Sequence, residues 1–90
     1  TAVEQVFRRR TIAVKHCYEI VLKKNPRAGG RLVLKVTLAT NGRAEVEVVS
    51  DSVGDPGVAR CVIRKITSWR FPKPETKAAT FKVPFIFRSL

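Results

Sequence analysis

The chain has 90 residues, 44% of them hydrophobic and 28% charged, which is the composition of one folded globular domain and excludes an intrinsically disordered segment. Its 18 Lys and Arg residues exceed its 7 Asp and Glu residues, and the net charge of +11 suits an anionic partner such as nucleic acid, anionic lipid or an acidic cell-wall glycan. No stretch approaches the roughly 18 apolar residues that a membrane-spanning helix needs. The absence of methionine predicts an excised or processed piece, so that any membrane anchor or export signal would lie outside it.

The first part of the chain predicts one long amphipathic helix over 3–24, because apolar and long side chains recur there at three- and four-residue steps. The residues of this inner stripe are Val3, Val6, Phe7, Val14, Cys17, Ile20, Val21 and Lys24. Basic side chains fall mostly on the other side of the helix. Asn25-Pro26 ends the helix, because proline cannot continue it and restricts the residue before it.

Residues 31–50 predict a β-hairpin. Apolar residues alternate with polar ones in both halves, and Asn41-Gly42 between the halves tolerates the positive φ angles that a tight hairpin turn requires. The inward positions are Leu32, Leu34, Val36 and Leu38 in the first strand and Ala44, Val46 and Val48 in the second.

Charged residues on the outward side of the hairpin predict cross-strand ion pairs. We expect Lys35 to lie across from Glu47. We expect Arg31 to lie across from Glu45 in the same way, each pair contributing roughly 0.2–1 kcal/mol.

Residues 51–69 predict a loop followed by a second helix. Asp55 is the expected N-cap residue, and Pro56 occupies the first helical position. The inner stripe of this helix consists of Val58, Val62, Ile66 and Trp69, flanked by Cys61 and Lys65. After a proline-rich segment, residues 81–88 alternate as a β-strand does. The positions of this strand that face the helices are Phe81, Val83, Phe85 and Phe87.

The order of elements is therefore α-β-β-α-β, which predicts an α+β fold in a single domain over residues 1–90. A right-handed crossover through the second helix places the third strand beside the first and parallel to the second. The three-stranded sheet then has the order 2-1-3, with an antiparallel hairpin and two helices packed on one face. The third strand lies at the edge of this sheet, which is where Pro84 is tolerated.

The two cysteines, Cys17 and Cys61, fall on the inner sides of the two predicted helices. They can be two buried thiols, or a disulfide formed in an oxidising compartment. Because both helices pack on the same face of the sheet, we predict the disulfide. It would close a loop of about 45 residues and stabilise the domain by up to about 4 kcal/mol in the chain-entropy account.

The chain lacks the residue combinations of an enzyme site. His16, its single histidine, is adjacent to Cys17 on a helix, where neighbouring residues do not face each other. Two cysteines and one histidine do not make a zinc site, and Gly29-Gly30 does not match a phosphate-binding loop. The sequence therefore predicts no enzymatic activity, no cofactor, no metal and no small-molecule substrate.

The most concentrated run of charge is Arg8, Arg9 and Arg10. It is either a solvated flank of the first helix or an electrostatic contact for phosphate or acidic glycan. Nucleic acid is not the expected partner, because the aromatic residues of the last strand share its helix-covered side, whereas stacking on single-stranded bases needs exposed aromatic rings.

Several short motifs follow one another along the chain in a recognisable order. They are Cys17-Tyr18-Glu19, Pro26, Gly42, Cys61, Trp69-Arg70-Phe71-Pro72-Lys73-Pro74 and Val83-Pro84-Phe85-Ile86-Phe87. With the order of elements they resemble, over nearly the whole chain, the C-terminal domain of TonB-type energy transducers and, within that group, the AgmX/PglI C-terminal family of myxobacterial gliding-motility proteins. The chain departs from such domains before the last strand, where they often carry glycine and this sequence reads Pro74-Glu75-Thr76-Lys77-Ala78-Ala79.

The resemblance implies a periplasmic domain at the C-terminus of an inner-membrane-anchored protein, joined to a motor through the rest of that protein. Domains of this kind engage outer-membrane or periplasmic proteins of a trans-envelope complex, in energy transduction or gliding motility. The mode it implies is strand addition (β-augmentation), in which an extended segment of the partner pairs with the last strand. The expected docking residues are Lys82, Val83, Pro84, Phe85, Ile86 and Phe87.

The alternative function is a basic module that binds a polyanion, namely peptidoglycan, lipopolysaccharide or nucleic acid. Its contacts would be Arg8, Arg9, Arg10, Lys15, Lys23 and Lys24. Affinity for a phosphate polymer falls steeply with salt, so the two functions predict different salt responses.

Overall fold

The computed structural model describes residues 2–73 and 77–88. For residues 2 and 3 it describes the backbone alone. The elements are α1 (Ala2–Arg9), α2 (Thr11–Lys24), β1 (Gly30–Leu38), β2 (Ala44–Asp51), α3 (Pro56–Ser68) and β3 (Ala79–Phe87). The three strands form one antiparallel sheet in the order β2-β1-β3. The α+β class and the strand order predicted from the sequence are therefore confirmed. Within the described ranges, every helix is too short or too polar to cross a bilayer.

The predicted single helix over 3–24 is wrong, because the chain bends at Arg10 and starts a new helix. Arg10 has φ −103° and ψ 9°. The hydroxyl group of Thr11 donates to the carbonyl oxygens of Phe7 at 3.0 Å and Arg8 at 3.1 Å. This side chain competes with the backbone N–H groups that would have continued the helix. The described part of the chain accordingly contains three helices where the sequence pattern predicted two.

The stripe that α2 turns toward the sheet also differs from the predicted one. Its buried residues are Val14, Cys17 and Tyr18. Ile20 is 44% exposed, because it lies roughly 110° around the helix from the centre of that stripe. Lys24 is exposed at the end of α2, as an ammonium group is unless it is paired. The side chain of Val3, another predicted member of the stripe, lies outside the described part of the chain.

The hairpin of β1 and β2 has its apolar side against the helices. The β1 residues buried there are Leu32, Leu34, Val36 and Leu38. Lys35 lies opposite Glu47, as predicted. The predicted pairing of Arg31 with Glu45 is wrong, since Glu45 lies opposite Thr37. In an antiparallel hairpin a residue far from the turn pairs with one equally far along the other strand.

Five residues, 39–43, connect the two strands of the hairpin. The Ala39 N–H donates to the Arg43 carbonyl at 2.9 Å, and the Gly42 N–H donates to the Ala39 carbonyl at 2.9 Å. Gly42 has φ +84°, and no non-glycine residue in the described ranges has a positive φ. The expectation of a positive φ is therefore confirmed at Gly42 and wrong at Asn41. A β-bulge interrupts the ladder between β1 and β2 farther from the turn.

α3 begins as predicted, with the Asp55 carboxylate accepting from the Gly57 N–H at 2.8 Å and Pro56 in the first turn. Its predicted inner stripe is buried, and comprises Val58, Val62, Ile66 and Trp69. Cys17 of α2 and Cys61 of α3 form a disulfide, with their Cα atoms 5.6 Å apart. The predicted disulfide is confirmed, and it joins α2 to α3.

Candidate functional site at the edge of the sheet

Strand β3 lies at one edge of the sheet. It pairs with β1 along its whole length, from Ala79 opposite Leu38 to Phe87 opposite Gly30. Among residues 2–73 and 77–88, no strand pairs with its other side. The edge position that the sequence predicted for this strand is therefore correct.

The direction of the backbone groups in β1 follows from bonds at its two ends. The Ser52 N–H donates to the Arg31 carbonyl at 2.9 Å, and the Arg31 N–H donates to the Ser52 hydroxyl oxygen at 2.9 Å. At the other end Ala39 bonds to Arg43. Because successive residues of a strand direct their backbone groups to opposite sides, the odd-numbered residues of β1 point toward β2. The even-numbered residues of β1 point toward β3.

This alternation divides the residues of β3 into two sets. Those opposite the even-numbered residues of β1 direct their N–H and C=O groups into the sheet, and they are Ala79, Phe81, Val83, Phe85 and Phe87. The others direct their backbone groups outward, and they are Thr80, Lys82, Pro84 and Ile86. Pro84 therefore lacks an N–H on the open side of the strand, where its absence removes no hydrogen bond from the sheet.

The side chains of the six predicted docking residues alternate between the two faces of the sheet. Those of Lys82, Pro84 and Ile86 lie on the sheet face away from the helices, and Ile86 is 64% exposed. On the helix side Phe87 is 7% exposed, whereas Val83 and Phe85 are only partly buried. These residues lie on the helix side, as predicted, but the helices cover that side of β3 only in part, because α1 and α2 leave grooves beside the strand.

The first groove, which we call the α1 groove, runs between α1 and the first half of β3 and has a volume of about 640 Å³. Its lining residues are Glu4, Phe7, Arg8, Ala79, Phe81, Lys82, Val83 and Pro84. Phe7 holds α1 in place, with ring centroids 5.6 Å from both Trp69 and Phe71. The groove is therefore apolar at its base, with the cations Arg8 and Lys82 among its lining residues.

The second groove, the α2 groove, runs between α2 and the end of β3 and has a volume of about 380 Å³. Its lining residues are Thr11, Val14, Lys15, Tyr18, Phe85, Ile86, Phe87 and Arg88. The rings of Tyr18 and Phe87 stack with centroids 5.0 Å apart, and the Tyr18 hydroxyl donates to the Ala28 carbonyl at 2.6 Å. These contacts fix the wall of the groove, which also carries the cations Lys15 and Arg88.

The open face of the sheet carries a row of three charges. Glu47 of β2 lies opposite Lys35 of β1, and Lys35 lies opposite Lys82 of β3. Lys82 thus has a like charge on one side and the open edge on the other. Like charges directly across a sheet repel each other, so an acidic residue on an added strand would find a favourable position beside Lys82.

The residues predicted to contact a polyanion do not form one surface. Arg8 lines the α1 groove and Lys15 lines the α2 groove. The others are exposed and line neither groove, and they are Arg9, Arg10, Lys23 and Lys24. Arg8 of the basic run and Lys15 therefore lie beside the β3 edge.

Sequence reasoning missed Phe7, Val14 and Tyr18 as residues of the candidate site. Phe7 and Val14 belong to the predicted inner stripe, a signal that places them toward the sheet without saying over which strand they lie. α3 packs against β2, which leaves α1 and α2 beside β3. Tyr18 appeared only within the Cys17-Tyr18-Glu19 motif, without a spatial role.

Strand β2 forms the opposite edge of the sheet, and it differs from β3 in one respect. The β-bulge in its ladder with β1 places Val33 opposite Ser50 and Leu34 opposite Val48, which leaves Val49 unmatched. A bulge twists an edge and interrupts its row of backbone groups. The ladder of β3 has no such interruption, so β3 is the better template for an added strand.

No family model, no curated protein and no solved structure matched the chain.

Proposed function

We propose that this chain is a non-enzymatic, periplasmic protein-interaction domain of an inner-membrane-anchored protein, related to the C-terminal domains of TonB-type and gliding-motility proteins. It binds an extended segment of an outer-membrane or periplasmic partner by strand addition at β3 and transmits force from a motor to that partner. The observation that carries the proposal is the outer side of β3, with which no strand of residues 2–73 and 77–88 pairs and which two partly apolar grooves border.

Main-chain hydrogen bonds provide the affinity in this mode of binding. The outward N–H groups available to a partner belong to Thr80, Lys82 and Ile86, whereas Pro84 offers its carbonyl oxygen alone. A partner strand can therefore form bonds on both sides of Pro84 but loses one donor between them. Pro84 also discourages indiscriminate pairing of this edge with other strands.

The grooves provide the selectivity. Alternate side chains of an added strand would point toward the helices and enter the α1 and α2 grooves, against the half-buried rings of Phe81 and Phe85. The side chains between them would lie on the open face, beside Lys82 and Ile86. The partner segment therefore alternates apolar residues with polar ones and carries an acidic residue opposite Lys82.

The disulfide supports the proposed compartment. Disulfides persist in oxidising environments such as the periplasm and are rare in the reducing cytosol. The bond between Cys17 and Cys61 joins α2 to α3, so it also resists separation of the helices under a pulling force.

The experiment is a pull-down from outer-membrane extract with the intact domain and two matched variants. Ile86→Asp places a charge on the open edge, and Ile12→Asp places one on α2, at a side chain that is 81% exposed. We expect the partner to be retained by the intact domain and by I12D, and lost with I86D. A peptide from the recovered partner should then shift the amide signals of residues 80–88. Retention of the partner by I86D, or shifts confined to α1, would contradict the proposal.

Salt dependence separates this function from polyanion binding. A polyanion complex loses affinity steeply as salt rises, by roughly one counterion for each neutralised charge. Strand addition with one charged contact changes its affinity little over the same range. A steep loss of affinity as salt rises, together with unchanged binding by I86D, would support the polyanion alternative instead.

A further inference from the structure

A third cleft lies away from β3, between the connection of the hairpin and the segment that follows α3. Its volume is about 330 Å³. Three cationic residues line it, Arg43 from the hairpin and Arg70 and Lys73 from the segment after α3, together with the polar residues Asn41 and Thr67. No described residue that lines it is acidic. Three cations around one small cleft repel each other unless an anion lies among them.

Both walls of this cleft are fixed by packing. Trp69 and Phe71 are 8% and 7% exposed, so they anchor the segment that carries Arg70 and Lys73. The hairpin lies directly on this segment, since a Cβ atom added to Gly42 would lie 3.2 Å from the Phe71 carbonyl oxygen. The cations therefore project from a backbone that is already positioned, which reduces the cost of ordering them around a ligand.

Side-chain hydroxyl groups occupy part of the carbonyl oxygens in the last turn of α3. A helix C-terminus normally presents unpaired carbonyl oxygens that repel anions. Here the hydroxyl groups of Thr67 and Ser68 donate to the carbonyls of Arg64 at 3.1 Å and Lys65 at 2.7 Å. In addition, the Trp69 N–H donates to the Ile66 carbonyl. Occupied oxygens repel an anion less, and among the described residues that line the cleft the only charges are those of the three cations.

The hairpin itself supplies a neutral donor. The side-chain oxygen of Asn41 accepts the Arg43 N–H at 3.0 Å, which turns the Asn41 amide oxygen toward its own backbone and leaves its NH₂ group to donate elsewhere. Guanidinium groups bind carboxylate and phosphate oxygens in pairs, and a lysine adds a compact charge. We propose that this cleft binds a single oxyanion group, carboxylate or phosphate, of a small ligand, independently of the β3 edge.

The test is an NMR titration of the intact domain at low salt, with inorganic phosphate in one arm and glucuronate in the other. We expect saturable shifts at the amides of residues 41–43 and 70–73. Arg70→Gln should weaken the binding about fivefold, as loss of one favourable charge contact in a solvated site predicts. Arg60→Gln, on the exposed side of α3, is the matched control and should leave the affinity unchanged.

Saturable binding of phosphate alone, of glucuronate alone, or of both supports the site and identifies the chemical source of the oxyanion. Shifts of equal size around residues 8–10 would mean general attraction to a basic protein and would overturn the proposal. So would an equal loss of affinity in the R60Q and R70Q variants, or the absence of saturable binding in both arms.

Discussion

The ring of Phe7 meets the ring of Phe81 edge-on, with centroids 6.2 Å apart and planes at 89°. Phe7 belongs to α1 and Phe81 to the edge strand β3, so this contact joins the first helix to the candidate binding edge. The ring of Phe7 also contacts Trp69 and Phe71. Through this one side chain, the position of α1 and the shape of the α1 groove depend on the segment that follows α3.

Phe7→Ala should therefore loosen α1 and destabilise the domain. Loss of a half-buried aromatic ring with three aromatic neighbours costs about 2 kcal/mol, less than the cost for a fully buried ring. Urea unfolding measures this change, and hydrogen exchange of the amides in α1 should accelerate more than exchange in α3. Gln5→Ala, at an exposed position of the same helix, is the control. A change below about 0.5 kcal/mol for F7A, as for an ordinary surface substitution, would contradict the assignment.

Reduction of the disulfide between Cys17 and Cys61 should lower the free energy of unfolding. The cysteines lie 44 positions apart, and the chain-entropy account gives up to about 4 kcal/mol for a loop of that length. Urea unfolding with and without reductant measures the difference. In the denatured, unreduced protein we expect no free thiol by titration, and a count of two would disprove the bond.

Gly42→Ala should destabilise the domain more than Gly54→Ala. Both glycines have positive φ angles, +84° and +87°, so both alanine variants carry a similar backbone strain of about 1 kcal/mol. A Cβ at Gly42 also approaches the Phe71 carbonyl at 3.2 Å, whereas one at Gly54 has no neighbour within 4 Å. The difference between the melting temperatures of G42A and G54A measures how much the packing of the hairpin on residues 71–73 contributes to stability. Equal losses in G42A and G54A would show that this packing does not matter.

Pro84→Val should leave stability almost unchanged, while Val83→Pro should destabilise the domain strongly. Pro84 directs its backbone groups outward, so the new N–H adds no bond to the sheet, and we expect a change within about 0.5 kcal/mol. Val83 directs its N–H toward Leu34, and proline there removes a ladder bond and leaves its acceptor unpaired, at a cost of about 1–3 kcal/mol. Thermal unfolding measures both variants.

The same pair of variants separates stability from edge pairing. P84V restores a donor on the open edge, which should increase self-association in sedimentation experiments at high protein concentration. If P84V instead destabilised the domain as strongly as V83P, the assignment of inward and outward residues in β3 would be incorrect.

The sequence was sufficient for the sheet because its signals are local and strong. Alternation in residues 31–50 placed Leu32, Leu34 and Val36 in the core, and a right-handed crossover gave the strand order. It failed at Arg10, where a helical pattern continues through a bend that a single hydroxyl group stabilises. Periodicity reports which side of a segment is apolar, and it does not detect such a side-chain hydrogen bond.

Some features of the candidate site also followed from the sequence, and others did not. The amino-acid sequence by itself determined that the last strand carries proline at a tolerated edge position and that Cys17 and Cys61 face the same core, since both follow from pattern and chain geometry. Only the tertiary structure decided that Phe7 and Tyr18 stand beside that strand, and that the outward backbone groups are those of residues 80, 82, 84 and 86. Those features depend on how separate elements pack in three dimensions and on the register between strands, neither of which is encoded within any one segment.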